Sequence, residues 1–156
     1  MRFADLDPYG HVNHAVYATY FEVGRSEALE SVGLPLHALT EQGYQFVVTE
    51  LAIRFRRALG AGDRIVIETV VADVGRASSR WSQRLLRQGE LMATAEVRVG
   101  VTDRAGRPTR PPANLPDRLR PLRLEGQDGG DGLDRGKTPA APAAGEVDAV
   151  PERLVD

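Results

Sequence analysis

The sequence predicts an α+β domain, with one long amphipathic helix near the N-terminus followed by four strands pairing antiparallel. Three observations carry this. Apolar residues recur on a single helical face over residues 14–32, four β-rich segments follow, and the turns between those segments are too short for helical crossovers.

Along the helix, Tyr17, Tyr20, Phe21, Gly24, Ala28 and Val32 fall on one stripe. Asn13 supplies an N-cap, Gly33 suits the C′ position, and Pro35 stops continuation. The mixture of glycine, alanine and aromatics on that stripe predicts close packing on something broad, such as a sheet. A shorter helix is expected over 35–42, ending at Gly43. Strands follow over 44–58, 63–74, 78–87 and 91–102, rich in Val, Ile, Thr and aromatics and punctuated by glycine turns at Gly60, Gly62, Gly75, Gly89 and Gly106. Trp81, Gln83 and Leu85 alternate with Arg80, Ser82 and Arg84, the pattern of a sheet with one wet face. Proline-rich chain and a short helix near 115–121 complete the domain.

A chain of 156 residues suits one domain, placed at 1–122, and a tail over 123–156. Residues 1–123 carry 17 arginines and 14 acidic groups (+3), whereas 124–156 carry 3 basic and 8 acidic groups (−5), so a mildly basic body meets an acidic tail. The Gly/Pro/Ala-rich tail has too little apolar surface to offset its ordering entropy and is expected to be disordered. The basic excess is too small to argue nucleic-acid binding. There are no cysteines, which excludes disulfides, thiolate metal sites and a Cys nucleophile. With no signal peptide and no apolar run of membrane-spanning length, the reading is a cytoplasmic protein. Arg2-Phe3-Ala4-Asp5 reads as the end of a strand, so a first strand is expected to begin upstream of residue 1.

The chemistry concentrates between Arg2 and Glu22. A carboxylate pair, Asp5 and Asp7, is followed by a Pro8–Gly10 turn and a capped helix starting seven residues after Asp7. The first amides of a helix lack internal partners and sit at the positive end of its dipole, which suits them to hold a developing oxyanion. A carboxylate nearby can serve as base or nucleophile on the same carbonyl. Read alone, the pattern is more often turn and cap chemistry, and His11, His14 and His37 lack metal-site spacing. No Gly-x-Ser-x-Gly elbow, phosphate loop or zinc motif is present.

As a whole the stretch resembles the N-terminal motif of the 4-hydroxybenzoyl-CoA thioesterase-like hotdog family, in Asp5-Leu6-Asp7, Gly10, Tyr17-Ala18-Thr19-Tyr20-Phe21-Glu22 and Arg25. The resemblance covers about residues 1–122, including the strand ending Val99–Asp103. It implies a hotdog fold, an antiparallel sheet wrapped around one long helix, assembled as a homodimer or homotetramer whose acyl pocket lies between subunits. It implies hydrolysis of acyl-CoA, or of an acyl-carrier-protein thioester, with no cofactor and no metal. On this resemblance Asp7 is the catalytic carboxylate, and the backbone amide of His14 polarises the thioester carbonyl. The His14 side chain is a second candidate, because bacterial short acyl-CoA thioesterases of the Tol–Pal-associated type carry histidine there. Gly10, Asn13 and Tyr17 are the expected substrate-binding neighbours, and Arg76, with Arg80 beside it, would meet the CoA phosphates. Glu22 and Arg25 are expected to pair on the helix. The alternatives are a non-catalytic acyl-binding protein and a hotdog dehydratase or hydratase, whose Asp-x-Asn-Pro-x-His-like pattern Asp7–His11 matches poorly.

Overall fold

Asn13 opens the long helix as expected: its side chain accepts from the Ala15 amide, and helix α1 runs His14–Ser31. Gly33, at φ 71°, turns the chain out of it. The computed structural model describes residues 6–123 and, as backbone, 143–148. After α1 come α2 (Leu36–Glu41), β1 (Gln45–Phe55), β2 (Arg64–Val74), β3 (Ser78–Arg87), β4 (Glu90–Thr102), α3 (Leu115–Leu119), a 3₁₀ turn (Arg120–Leu122) and β5 (Ala143–Asp148). The expected elements between residues 14 and 122 are present, with ends shifted by a few residues at most.

The strands form one sheet in the order β1-β4-β3-β2-β5, every neighbouring pair antiparallel. Its inner face curls over α1, the hotdog arrangement. Phe21, Ile65, Ile67, Trp81 and Leu85 are fully buried between helix and sheet, each stabilising the fold by about 1.5–3 kcal/mol. The contact is close at Gly24, where a Cβ would stand 2.6 Å from Ile67 Cγ2. Only glycine lets the helix lie this low on β2.

Two expectations need correction. Arg25 is buried, but its guanidinium donates to Gln83 Oε1 at 2.8 Å and makes no hydrogen bond or ion pair with Glu22. Burial lowers the Arg25 pKa, and the nearby Glu22 charge opposes that only in part. The facing β3 position offers the neutral amide instead. The tail is also not wholly outside the domain: Ala143–Asp148 pair with Arg64–Thr69 of β2. The reason lies in the main chain, since an extended segment pairs with the open N–H and C=O groups of an edge strand whatever its composition. The rest of the expected tail, together with residues 1–5 and the expected upstream strand, lies outside the described residues. Among the described residues no helix is long and apolar enough to cross a membrane.

Candidate active site

Residues 6–13 fold into a tight loop ahead of α1. Leu6 and Val12 face each other in an antiparallel bridge, and the Asp7 amide donates to His11 O at 2.7 Å. Gly10, at φ 79°, makes the reversal in a conformation most side chains resist. Inside the loop Asp7 Oδ1 accepts from the Tyr9 amide at 2.9 Å and the His11 amide at 3.0 Å. Its other oxygen, Oδ2, stands 3.8 Å from His11 Nδ1, beyond hydrogen-bond distance. One carboxylate oxygen is therefore fixed by backbone and the other is left for chemistry.

The start of α1 supplies the complementary group. Asn13 Oδ1 takes the Ala15 amide at 3.0 Å and Asn13 O takes the Val16 amide at 2.9 Å. The His14 amide has no acceptor among the described residues, which leaves it a free donor at the positive end of the helix.

A third segment, the end of β1 and the turn into β2, closes the site. Val12 N donates to Leu59 O at 2.8 Å, and the Leu59 amide donates to the Tyr17 hydroxyl at 3.1 Å. The Tyr17 ring is buried and meets Phe55 edge-on, with centroids 5.0 Å apart. Burial raises the Tyr17 pKa, so the phenol stays protonated. Asp63 anchors the turn, accepting from the Gly60 amide at 2.8 Å and from Arg87 at 2.9 Å. Burial pushes the Asp63 carboxyl up, but those two donors outweigh it and hold the pKa below the usual value.

These segments enclose an open cavity of about 300 Å³ lined by Asp7, His11, His14, Tyr17, Phe55, Arg56 and Arg57, with Val12 and Ala58. Asp7, His14 and Tyr17 are thus brought together. Asn13 and Gly10 shape the site from outside the lining, one as cap and one as turn. Arg76 is elsewhere: with Arg110 it lines a separate cavity of about 280 Å³ at the β2–β3 turn. That turn lies at the opposite end of the sheet, since Ser78 pairs with Gly100, which pairs with Val47 near the start of β1. A third, smaller cavity of about 60 Å³ opens further along α1, against Arg25, Leu29, Phe46, Val48 and Trp81. Phe55, Arg56 and Arg57 were not expected at the site. The available signal was the Arg54-Phe55-Arg56-Arg57 run, which breaks strand alternation where the strand ends. Among the described residues no three His, Cys, Asp or Glu side chains cluster to hold a metal ion.

Residues 1–124 match the family model described as the thioesterase-like superfamily. A chloroplastic acyl-acyl carrier protein thioesterase of Arabidopsis thaliana is 30% identical over 118 residues, covering 74% of this chain and 62% of that one. An acyl-CoA thioesterase of Haemophilus influenzae is 35% identical over 102 residues, covering 65% of this chain and 75% of its own. Among solved structures, a Thermus thermophilus thioesterase complexed with coenzyme A and zinc superposes with a TM-score of 0.66 at 30% identity, covering 78% of this chain and 88% of that one.

Proposed function

The chain belongs to the thioesterase-like superfamily, and on that premise we propose that it hydrolyses acyl-CoA thioesters, with Asp7 as the catalytic carboxylate and the His14 amide as oxyanion donor. The observation that carries this reading is the meeting of incomplete groups on one cavity: a carboxylate with one oxygen pinned and one open, and a helix-start amide that has no acceptor among the described residues. A thioester carbonyl with its oxygen on the His14 amide would present its carbon to Asp7. Either the carboxylate attacks, giving an acyl-enzyme that water opens, or it takes a proton from the attacking water. Both routes put negative charge on the carbonyl oxygen, where the amide and helix dipole stabilise it, and both release the thiol. The acyl-CoA and acyl-carrier-protein activities of the relatives support this substrate class. The chain spans 62% of the length of the plant relative.

The test is thiol release from acetyl-, hexanoyl-, palmitoyl- and benzoyl-CoA, read with a chromogenic thiol reagent that meets no cysteine in the protein. Asp7→Asn keeps an Oδ1 acceptor for the Tyr9 and His11 amides, so its melting temperature should match wild type. Turnover should fall about 10²–10⁴-fold, and His14→Ala should cost less because its amide remains. Full activity in Asp7→Asn would defeat the assignment.

The same reading includes a homodimer joined along β1. That strand is an outer edge of the sheet, and Val48, Leu51 and Phe55 on its inner face are 41–50% exposed. An open edge with apolar side chains is a template for another strand. Antiparallel β1–β1 pairing about a two-fold axis would set the Gln45 end of one copy beside the Phe55 end of the other. The Arg76 cavity would then approach the partner's Asp7 cavity, giving Arg76 a route to the carrier phosphates. Sedimentation should report a dimer at micromolar concentration, and Leu51→Lys should shift it to monomer. A monomeric wild type would reject the pairing.

A further inference from the structure

We propose that Arg56 is an anion-binding residue of the Asp7 cavity, taking an oxyanion group of the substrate: a phosphate of the carrier or a carboxylate on the acyl group. The substrate follows from the thioesterase reading above, whereas the binding role follows from the local geometry.

The device is a β-bulge. Past Phe55, which faces inward opposite Ala93, regular alternation would send Arg56 to the outer face of the sheet and only Arg57 inward. Instead the amides of Arg56 and Arg57 both donate to Met92 O, at 2.8 and 3.1 Å, so two residues oppose one. A bulge re-aims side chains, and here both arginines line the cavity with Asp7 and His14.

The two cations then differ. Arg57 is committed to Glu90, with Nε 3.0 Å from the carboxylate. Arg56 makes no side-chain hydrogen bond and no ion pair among the described residues, with Asp7 included. A guanidinium offers a planar fork of donors that fits phosphate or carboxylate with two bonds. Among the described residues Asp7 is the only acidic side chain in the cavity lining, and its Oδ1 is already taken by two amides. Among the described residues Arg56 is therefore a preplaced cation without a partner, in a cavity open to a ligand.

The test is equilibrium binding by the full chain of three thioethers that cannot be hydrolysed: S-butyl-CoA, S-(4-carboxybutyl)-CoA and S-butyl-N-acetylcysteamine. Wild type, R56A and R56K are compared with R54A, a control that removes a neighbouring exposed arginine absent from the cavity lining. If a carrier phosphate is the partner, R56A should weaken both CoA compounds about tenfold, a change of about 1.4 kcal/mol, relative to the cysteamine compound. If an acyl carboxylate is the partner, R56A should weaken the carboxybutyl compound relative to S-butyl-CoA by a similar factor. In either case R56K keeps part of the affinity, and raised salt shrinks the difference. Equal losses on all three compounds, a matching loss in R54A, or no wild-type affinity for any of them would overturn the proposal. The hydrolase reading is judged separately, by wild-type turnover.

Discussion

Helix α1 carries two polar clusters, and they differ in what is left unpaired. At Arg25 the groups bond to one another in the core: the guanidinium donates to Gln83 Oε1, while Gln83 Nε2 donates to Phe21 O at 2.9 Å and to Thr69 Oγ1 at 3.0 Å. Gln83 and Thr69 have no exposed surface. At the helix start the cluster is exposed and incomplete: among the described residues an Asp7 oxygen, the His14 amide and Arg56 have no hydrogen-bond partner around one cavity. A buried polar group must be satisfied to be tolerated, so mutual hydrogen bonding within the core identifies the structural cluster. Free valence facing a cavity identifies the one available for a substrate.

The Asp7→Asn substitution tests the incomplete cluster through activity, and Gln83→Leu tests the buried one through stability. Leucine would strand the Arg25 charge in the core without its acceptor. Breaking a buried pair from one side costs about 3–5 kcal/mol, which for a domain of this size lowers Tm by roughly 10 °C or more. Adding Arg25→Met should recover part of the loss, because the charge needing an acceptor is gone. Below its melting transition, Gln83→Leu should retain wild-type turnover. A variant that kept its Tm but lost turnover would move the network from scaffold to site and collapse the distinction.

Much of the scaffold was legible because it rests on local signals. Periodicity, the Asn13 cap and the Gly33 exit placed α1, and alternation across Trp81, Gln83 and Leu85 placed the inner face of β3. The Asp7–His14 juxtaposition was legible because one short loop joins Asp7 to the helix start. What escaped depends on pairing distant in sequence. Arg25 reads as a helix-surface partner of Glu22 until β3 brings Gln83 beneath it. Arg56 joins the site only through a bulge set by Met92, and nothing local encodes that register. The pairing of Ala143–Asp148 with β2 was invisible for the same reason: an edge recruits backbone, and composition reports only side chains.

Asp63 lies between the two clusters in character, paired but near the surface, and its effect should be the smallest. It ties the β1–β2 turn to Arg87, and the turn in turn holds Val12 through Leu59 O. Its folded pKa is lowered, so its contribution is present above the unfolded carboxylate pKa of about 3.9 and is lost as pH falls through the lower folded value. Asp63→Asn removes the ion pair at every pH. Wild type should therefore exceed the variant in Tm by a few degrees at neutral pH. The two melting curves should converge in strong acid, and added salt should narrow the neutral-pH gap. The check is Tm against pH for both proteins, alongside the KM for an acyl-CoA ester. A Tm gap that stayed constant into acid would mean that the side chain acts by shape and not by charge. A rise in KM larger than the stability loss explains would place this turn in the binding site with Arg56.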